Sequence, residues 1–115
     1  FQHSAHINSD GDMMLIDNSL FKKESRGLSF HLDTINHTAS VKICAPLPKS
    51  KYTSRMGSSY LLPNGNLLQT SAKTGSVMVT SKNGDNVFWE LNSYYVPYRA
   101  EYIPAQTWDR FFRKD

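Results

Sequence analysis

An internal repeat constrains this chain more than its composition does. With Gly11 set over Gly65, residues 4–15 lie over residues 58–69. Each copy has two extended segments around an Asp/Asn-Gly-Asp/Asn turn, at an offset of 54 residues. A fixed period of this size is the mark of a repeat architecture. Asn-Gly and Asp-Gly turns supply the positive φ angles that tight hairpins need.

Further turn signals divide the rest. Segments rich in β-branched and aromatic residues fall at 3–8, 13–17, 28–32, 39–44, 58–62, 67–71, 76–80 and 86–91. Each repeat therefore carries four strands. Four short strands per period is the pattern of a propeller blade, since one such sheet cannot cover both its faces alone. Two packed sheets of a sandwich are the alternative. The long period is attributed to insertions at 18–27 and 46–56. The fold expected is all-β: two four-stranded antiparallel β-propeller blades plus a closing strand and a short tail. The first blade is set at 1–45, a linker at 46–56, the second blade at 57–91, and the closing strand and tail at 92–115. Residues 94–104 read as one further strand, with Pro97 at its start or edge. Residues 105–112 read as a short helix packed over a blade, with Trp108, Phe111 and Phe112 on one side.

Composition sets limits on function. The charged fraction is 20% and the hydrophobic fraction 39%, polar for a single core yet unlike a disordered chain. The net charge of +3 comes from the C-terminal part: residues 46–115 hold nine Lys/Arg against five Asp/Glu. Those cations sit at turns and on the tail, so they read as a solvated surface. A basic nucleic-acid-binding barrel would need aromatics interleaved with cations on one strand face. Tyr94, Tyr95, Tyr98 and Arg99 come nearest, and the repeat argues against it; no nucleic-acid partner is expected. No run approaches 18 apolar residues, so no membrane insertion is expected. The abrupt Phe1 start suggests a truncated chain.

Few residues carry reactive chemistry. Cys44, alone in an apolar run, is read as a buried small hydrophobe. Asp10 and Asp12 flank a turn glycine and are read as turn formers, lacking the six to eight oxygens calcium takes. His3 and His6 are three apart, so a strand points them to opposite faces. His31 falls on a strand and His37 in a turn, within the glycosylation-type triplet Asn36-His37-Thr38. No ligand spacing supports a metal site, and no cofactor is expected. His3 differs in position. It would open the innermost strand of the first blade, which lines a propeller's channel.

At this point the residues resemble those of the arylsulfotransferases, also called arylsulfate sulfotransferases, over most of the chain. Gln2-His3-Ser4 is similar to the family's Q-H segment, and residues 13–18 (MMLIDN) to the strand ending in D-N. Ser25-Arg26, followed by Leu32-Asp33, resembles its S-R stretch. Residues 57–68 (GSSYLLPNGNLL) resemble its G-S…P-N-G-N segment, Phe88-Trp89-Glu90 its V-W-E ending, and Tyr98-Arg99-Ala100 its Y-R-A. The P-N-G-N and W-E elements recur in many propellers; the order of the set is the specific feature. The resemblance implies a six-bladed propeller of which this chain is the last third. It implies a ping-pong transfer in which His3 takes the sulfuryl group of an aryl sulfate, becomes sulfohistidine, and passes the group to a phenol. Arg99 and Arg26 are the local cations named for holding the anionic substrate. The implied partners are the aryl sulfate, the phenol and the remaining blades, and the implied location is the periplasm or the outside of the cell. A non-catalytic propeller that binds a ligand or a protein is the alternative.

Overall fold

The computed structural model describes residues 1–113. Eight strands form two four-stranded antiparallel sheets. The first contains β1 (Gln2–Ile7), β2 (Met13–Ser19), β3 (Glu24–Asp33) and β4 (Thr38–Pro46) in sequence order. The second contains β5 (Ser58–Leu61), β6 (Leu67–Ser71), β7 (Ser76–Thr80) and β8 (Val87–Asn92), also in order. Both sheets are open, with β1 and β5 at corresponding edges.

The repeat is visible in the hydrogen bonds of its turns. Asn8 donates its N–H to the Asp12 carbonyl and Gly11 its N–H to the Asn8 carbonyl, at 2.9 and 3.0 Å. Leu62 to Asn66 and Gly65 to Leu62 repeat this at 2.8 and 2.9 Å. Gly11 and Gly65 adopt φ of +83° and +86°, where a side chain is strained.

The inner faces of the two sheets meet. Alternation along β2 sends Met14, Ile16 and Asn18 inward and Met13, Leu15 and Asp17 outward. Met14, Ile43 and Ala45 pack on Leu67 and Leu61; Ile16 and Leu47 pack on Met78. Burial of each such large side chain contributes about 1.5–3 kcal/mol. Much of the interface is polar and hydrogen-bonded instead. The Ser59 hydroxyl donates to Gln69 Oε1 at 3.3 Å, and Gln69 Nε2 donates to the Thr80 hydroxyl at 2.9 Å. Gly27 lies directly against this group, so a Cβ there would collide with the Ser59 hydroxyl.

The segment joining the sheets is built in. Lys49–Lys51 forms one 3-10 turn, and Thr53 is fully buried. Thr53 donates its N–H to the Ser25 hydroxyl at 3.0 Å, and Lys73 donates its N–H to the Thr53 hydroxyl at 3.2 Å. Lys51 also reaches the second sheet, with its ammonium 2.6 Å from Glu90 Oε1 and 2.9 Å from the Ser76 hydroxyl. That hydrogen bond holds the Glu90 carboxyl below its ordinary value of 4.5, against the opposing effect of desolvation. A carboxyl lowered on folding adds stability above its unfolded pKa and loses it as pH falls through the folded one. Lys51→Met should therefore cost up to about 1 kcal/mol near neutrality. Urea unfolding should show the gap from wild type closing as pH falls below the ordinary carboxyl value of 4.5. Equal midpoints near neutrality would contradict this role.

Four expectations need correction. Residues 18–27 are not an inserted loop: Asn18 pairs with Ser25 and Ser19 with Glu24, so β2 and β3 lengthen around a short turn. Residues 94–104 form no strand. The Ala100 N–H is taken by the hydroxyls of Thr70 at 3.1 Å and Ser58 at 3.4 Å, so this segment crosses a sheet face instead of joining an edge ladder. Pro97 and Pro104 also lack the N–H that a ladder needs. Helix α1 (Ala105–Phe111) forms as expected, but it buries none of its residues. Trp108 stacks on Phe112 at 4.7 Å between ring centroids, a contact within the tail itself. Finally, Cys44 is exposed. Its register partner is Leu28, on the outer face of the first sheet.

Candidate functional site

Residues 56–58, at the entry to β5, gather segments from across the chain. Met56 and Gly57 both have positive φ, +59° and +96°. This kink turns their backbone groups toward neighbouring elements. The Met56 carbonyl accepts Asn18 Nδ2 at 2.9 Å. The Gly57 carbonyl accepts the Ser4 hydroxyl at 2.9 Å, and the Gly57 N–H donates to the Tyr98 carbonyl at 3.1 Å. Ser58 is fully buried and its hydroxyl meets the Ala100 N–H. Four segments separated in sequence thus meet, through Ser4, Asn18, Met56–Ser58 and residues 98–100.

His3 stands one residue before Ser4. Its register partner is Ile16, so it belongs to the inner face of the first sheet at the β1 edge. The pairing slips between His3 and His6, and Ser4 has φ of +55°. A bulge of this kind re-aims a strand's side chains. His3 is half-buried, and no hydrogen bond joins its ring to another described residue. His6 is engaged elsewhere: its Nδ1 lies 2.8 Å from the Ser4 carbonyl, and its ring rests on Tyr60 at 4.5 Å.

Arg99 is pinned on both sides. Gly57 holds the Tyr98 carbonyl, while Ser58 and Thr70 hold the Ala100 N–H. The Arg99 side chain is 50% exposed and pairs with Glu101 at 3.0 Å. Arg26 lies elsewhere. It pairs across the strands with Asp17, 3.0 Å away, on the outer face of the first sheet. Gln2 Nε2 donates to the other oxygen of the same carboxylate at 3.2 Å. The register therefore separates His3 and Arg26 onto opposite faces.

The remaining histidines serve structure. His31 Nδ1 lies 3.0 Å from Asp12 Oδ1, and His37 occupies a turn at φ of +53°. Asp10 and Asp12 give their N–H groups to Asn8 Oδ1, at 3.0 Å each, as turn formers do. Among the described residues no three His, Cys, Asp or Glu side chains come together as metal ligands. Among them, too, no helix is long and apolar enough to cross a membrane.

Sequence reasoning singled out His3, Arg99 and Arg26 but missed the residues that organise them. Ser4, Asn18 and Gly57 form the junction, and Asp17 holds Arg26. A signal for Asp17 was available. A hairpin closed by four residues at 20–23 pairs Asp17 with Arg26 directly.

No significant match was found between this chain and any family model, curated protein or solved structure.

Proposed function

We propose that this chain is the C-terminal segment of a β-propeller sulfotransferase that moves a sulfuryl group from an aryl sulfate to a phenol through His3. The observation that carries the reading is the convergence at Met56–Ser58. The Q-H-S, D-N, G-S and Y-R-A segments, whose order motivated the resemblance, are hydrogen-bonded to one another through that junction. On this reading the two sheets are successive blades, with β1 and β5 as the innermost strands.

The chemistry assigned is a double displacement. A neutral imidazole nitrogen of His3 attacks sulfur, and the S–O bond to the aryl group breaks with its electron pair leaving on the phenolate. The phenol acceptor then attacks the same sulfur as the N–S bond breaks, its electron pair returning to the imidazole nitrogen, and the phenol's proton passes to solvent, which balances the phenolate released first. Cations must meet the sulfuryl oxygens. Of the two named, Arg99 is the stronger candidate. Its partner Glu101 is itself 56% exposed, whereas Arg26 is held by Asp17, whose side chain is only 13% exposed. Exchanging a water-screened partner for a sulfate costs less than stripping one that is mostly covered. The remaining donors belong to the other blades, and the same reading puts the protein in the periplasm or outside the cell.

The full-length protein carrying this segment should release chromophore from an aryl sulfate in proportion to added phenol. Release independent of phenol would point to hydrolysis and against a transferase. A second reading, a propeller that binds a ligand or a protein without catalysis, is favoured by one observation: Arg26 stands on the opposite face from His3. A folded full-length protein inactive toward several aryl sulfates would put this reading first.

A further inference from the structure

The outer face of the first sheet is built to be covered. The repeat assigns each of its positions a counterpart in the second sheet. Met13, Leu15 and Asp17 on β2 correspond to Leu67, Gln69 and Ser71 on β6. Their cross-strand partners Phe30, Leu28 and Arg26 correspond to Thr80, Met78 and Ser76. All six positions of the second sheet are fully buried, on the side that meets the first sheet and the joining segment. In the first sheet Met13, Leu15, Asp17, Arg26 and Phe30 are only partly buried, and Leu28 alone is buried. They border a shallow cleft of about 560 Å³ that includes Leu15, Leu28, Phe30 and Cys44.

The charges on this face suit burial. Arg26 and Asp17 are paired with each other, and the second oxygen of Asp17 accepts the Gln2 amide, while Glu24 stands exposed at the end of the strands, opposite Ser19. The matched pair can be covered without leaving either charge unpaired. The far side of the stack differs. The outer face of the second sheet is already crossed by residues 98–100, where the Ala100 N–H donates to the hydroxyls of Ser58 and Thr70.

We infer that the outer face of the first sheet seats a further four-stranded antiparallel sheet of the same kind, supplied by the same polypeptide. That sheet continues the stacking already seen between the two sheets here. It presents small and apolar side chains, as Gly27, Ser29, Ile43 and Ala45 do toward the second sheet. The inference rests on the propeller reading for the source of the sheet, and it is independent of sulfuryl transfer.

Cys44, exposed on this face, is the probe. In the full-length protein carrying this segment, its alkylation by a maleimide should be on the order of 100-fold slower than in urea. Peptide mass mapping would read the modification at Cys44. Protection should be the same at all protein concentrations, and Leu28→Ala should weaken it by loosening the seat. Alkylation at the unfolded rate in folded protein would overturn the inference. Protection lost on dilution, together with a falling oligomer mass, would also overturn it, because a second copy would then be the cover. Neither result bears on catalysis, which the phenol-dependent assay reads separately.

Discussion

On the proposed sulfuryl transfer, replacing His3 with alanine in the full-length protein should abolish phenol-dependent release from an aryl sulfate, with a loss on the order of 10⁶-fold in kcat. The size follows from the role. A nucleophile divides one displacement into two, and no neighbouring group takes over when it is removed. His6 is three residues away but is occupied: it stacks on Tyr60 and bonds the Ser4 carbonyl. His6→Ala should therefore leave turnover within a few fold, making it the matched control. His3→Ala should also keep the fold, since its ring holds no other described residue in place by a hydrogen bond. A His3→Ala protein with wild-type circular dichroism and wild-type turnover would remove His3 from the mechanism.

The second large effect lies at Gly57. Its φ of +96° is strained for any side chain, and an added Cβ would sit 2.5 Å from the Thr70 carbonyl oxygen. That atom is backbone in the middle of β6, so it cannot swing aside. Gly57→Ala should cost about 3 kcal/mol or more, combining backbone strain with overpacking. It should also pull apart the contacts with Ser4 and Tyr98 that Gly57 makes with its own carbonyl and N–H. Activity should then fall more than the folded fraction does. Gly65→Ala is the informative comparison. Gly65 has a similar φ of +86° but nothing within 4 Å of its added Cβ, so only the strain remains, about 1–2 kcal/mol. Equal urea midpoints for the two variants would refute the account of the junction.

Much of the architecture was legible because local chemistry and tertiary placement agree. The strands at 67–71 and 76–80 match residue for residue, bounded by turn glycines, the second of them rich in β-branched residues. The aligned turns at Gly11 and Gly65 share their hydrogen bonds because both need positive φ at the same place. The misreadings have one source, which is that local pattern does not say what lies above a face. Cys44 sits in an apolar run, as a buried residue would, yet its side of β4 is the side without a cover among the described residues. Residues 94–104 carry the aromatic and β-branched content of a strand. The side chains of Ser58 and Thr70 capture their backbone instead. The stretch 18–27 lacks the apolar alternation of a strand because Asn18 and Ser25 are polar. Both are buried; Asn18 Nδ2 donates to the Met56 carbonyl and the Ser25 hydroxyl to the Thr53 carbonyl, 38 and 28 residues further along. Of the candidate site, His3 and Arg99 were legible as residue types in an ordered motif set. The junction that connects their segments was not, because it is made by backbone groups at Met56 and Gly57 that any residue possesses.

The most direct test of the account is to look for the sulfuryl group itself. The full-length protein would be mixed with an aryl sulfate in the absence of phenol, quenched at alkaline pH, digested and mapped by mass spectrometry. The peptide carrying His3 should gain one sulfuryl group, with fragment ions placing it on the imidazole, and added phenol should remove it. A protein that transfers sulfate while its His3 peptide stays unmodified, or that carries the group on another residue, would contradict the assignment.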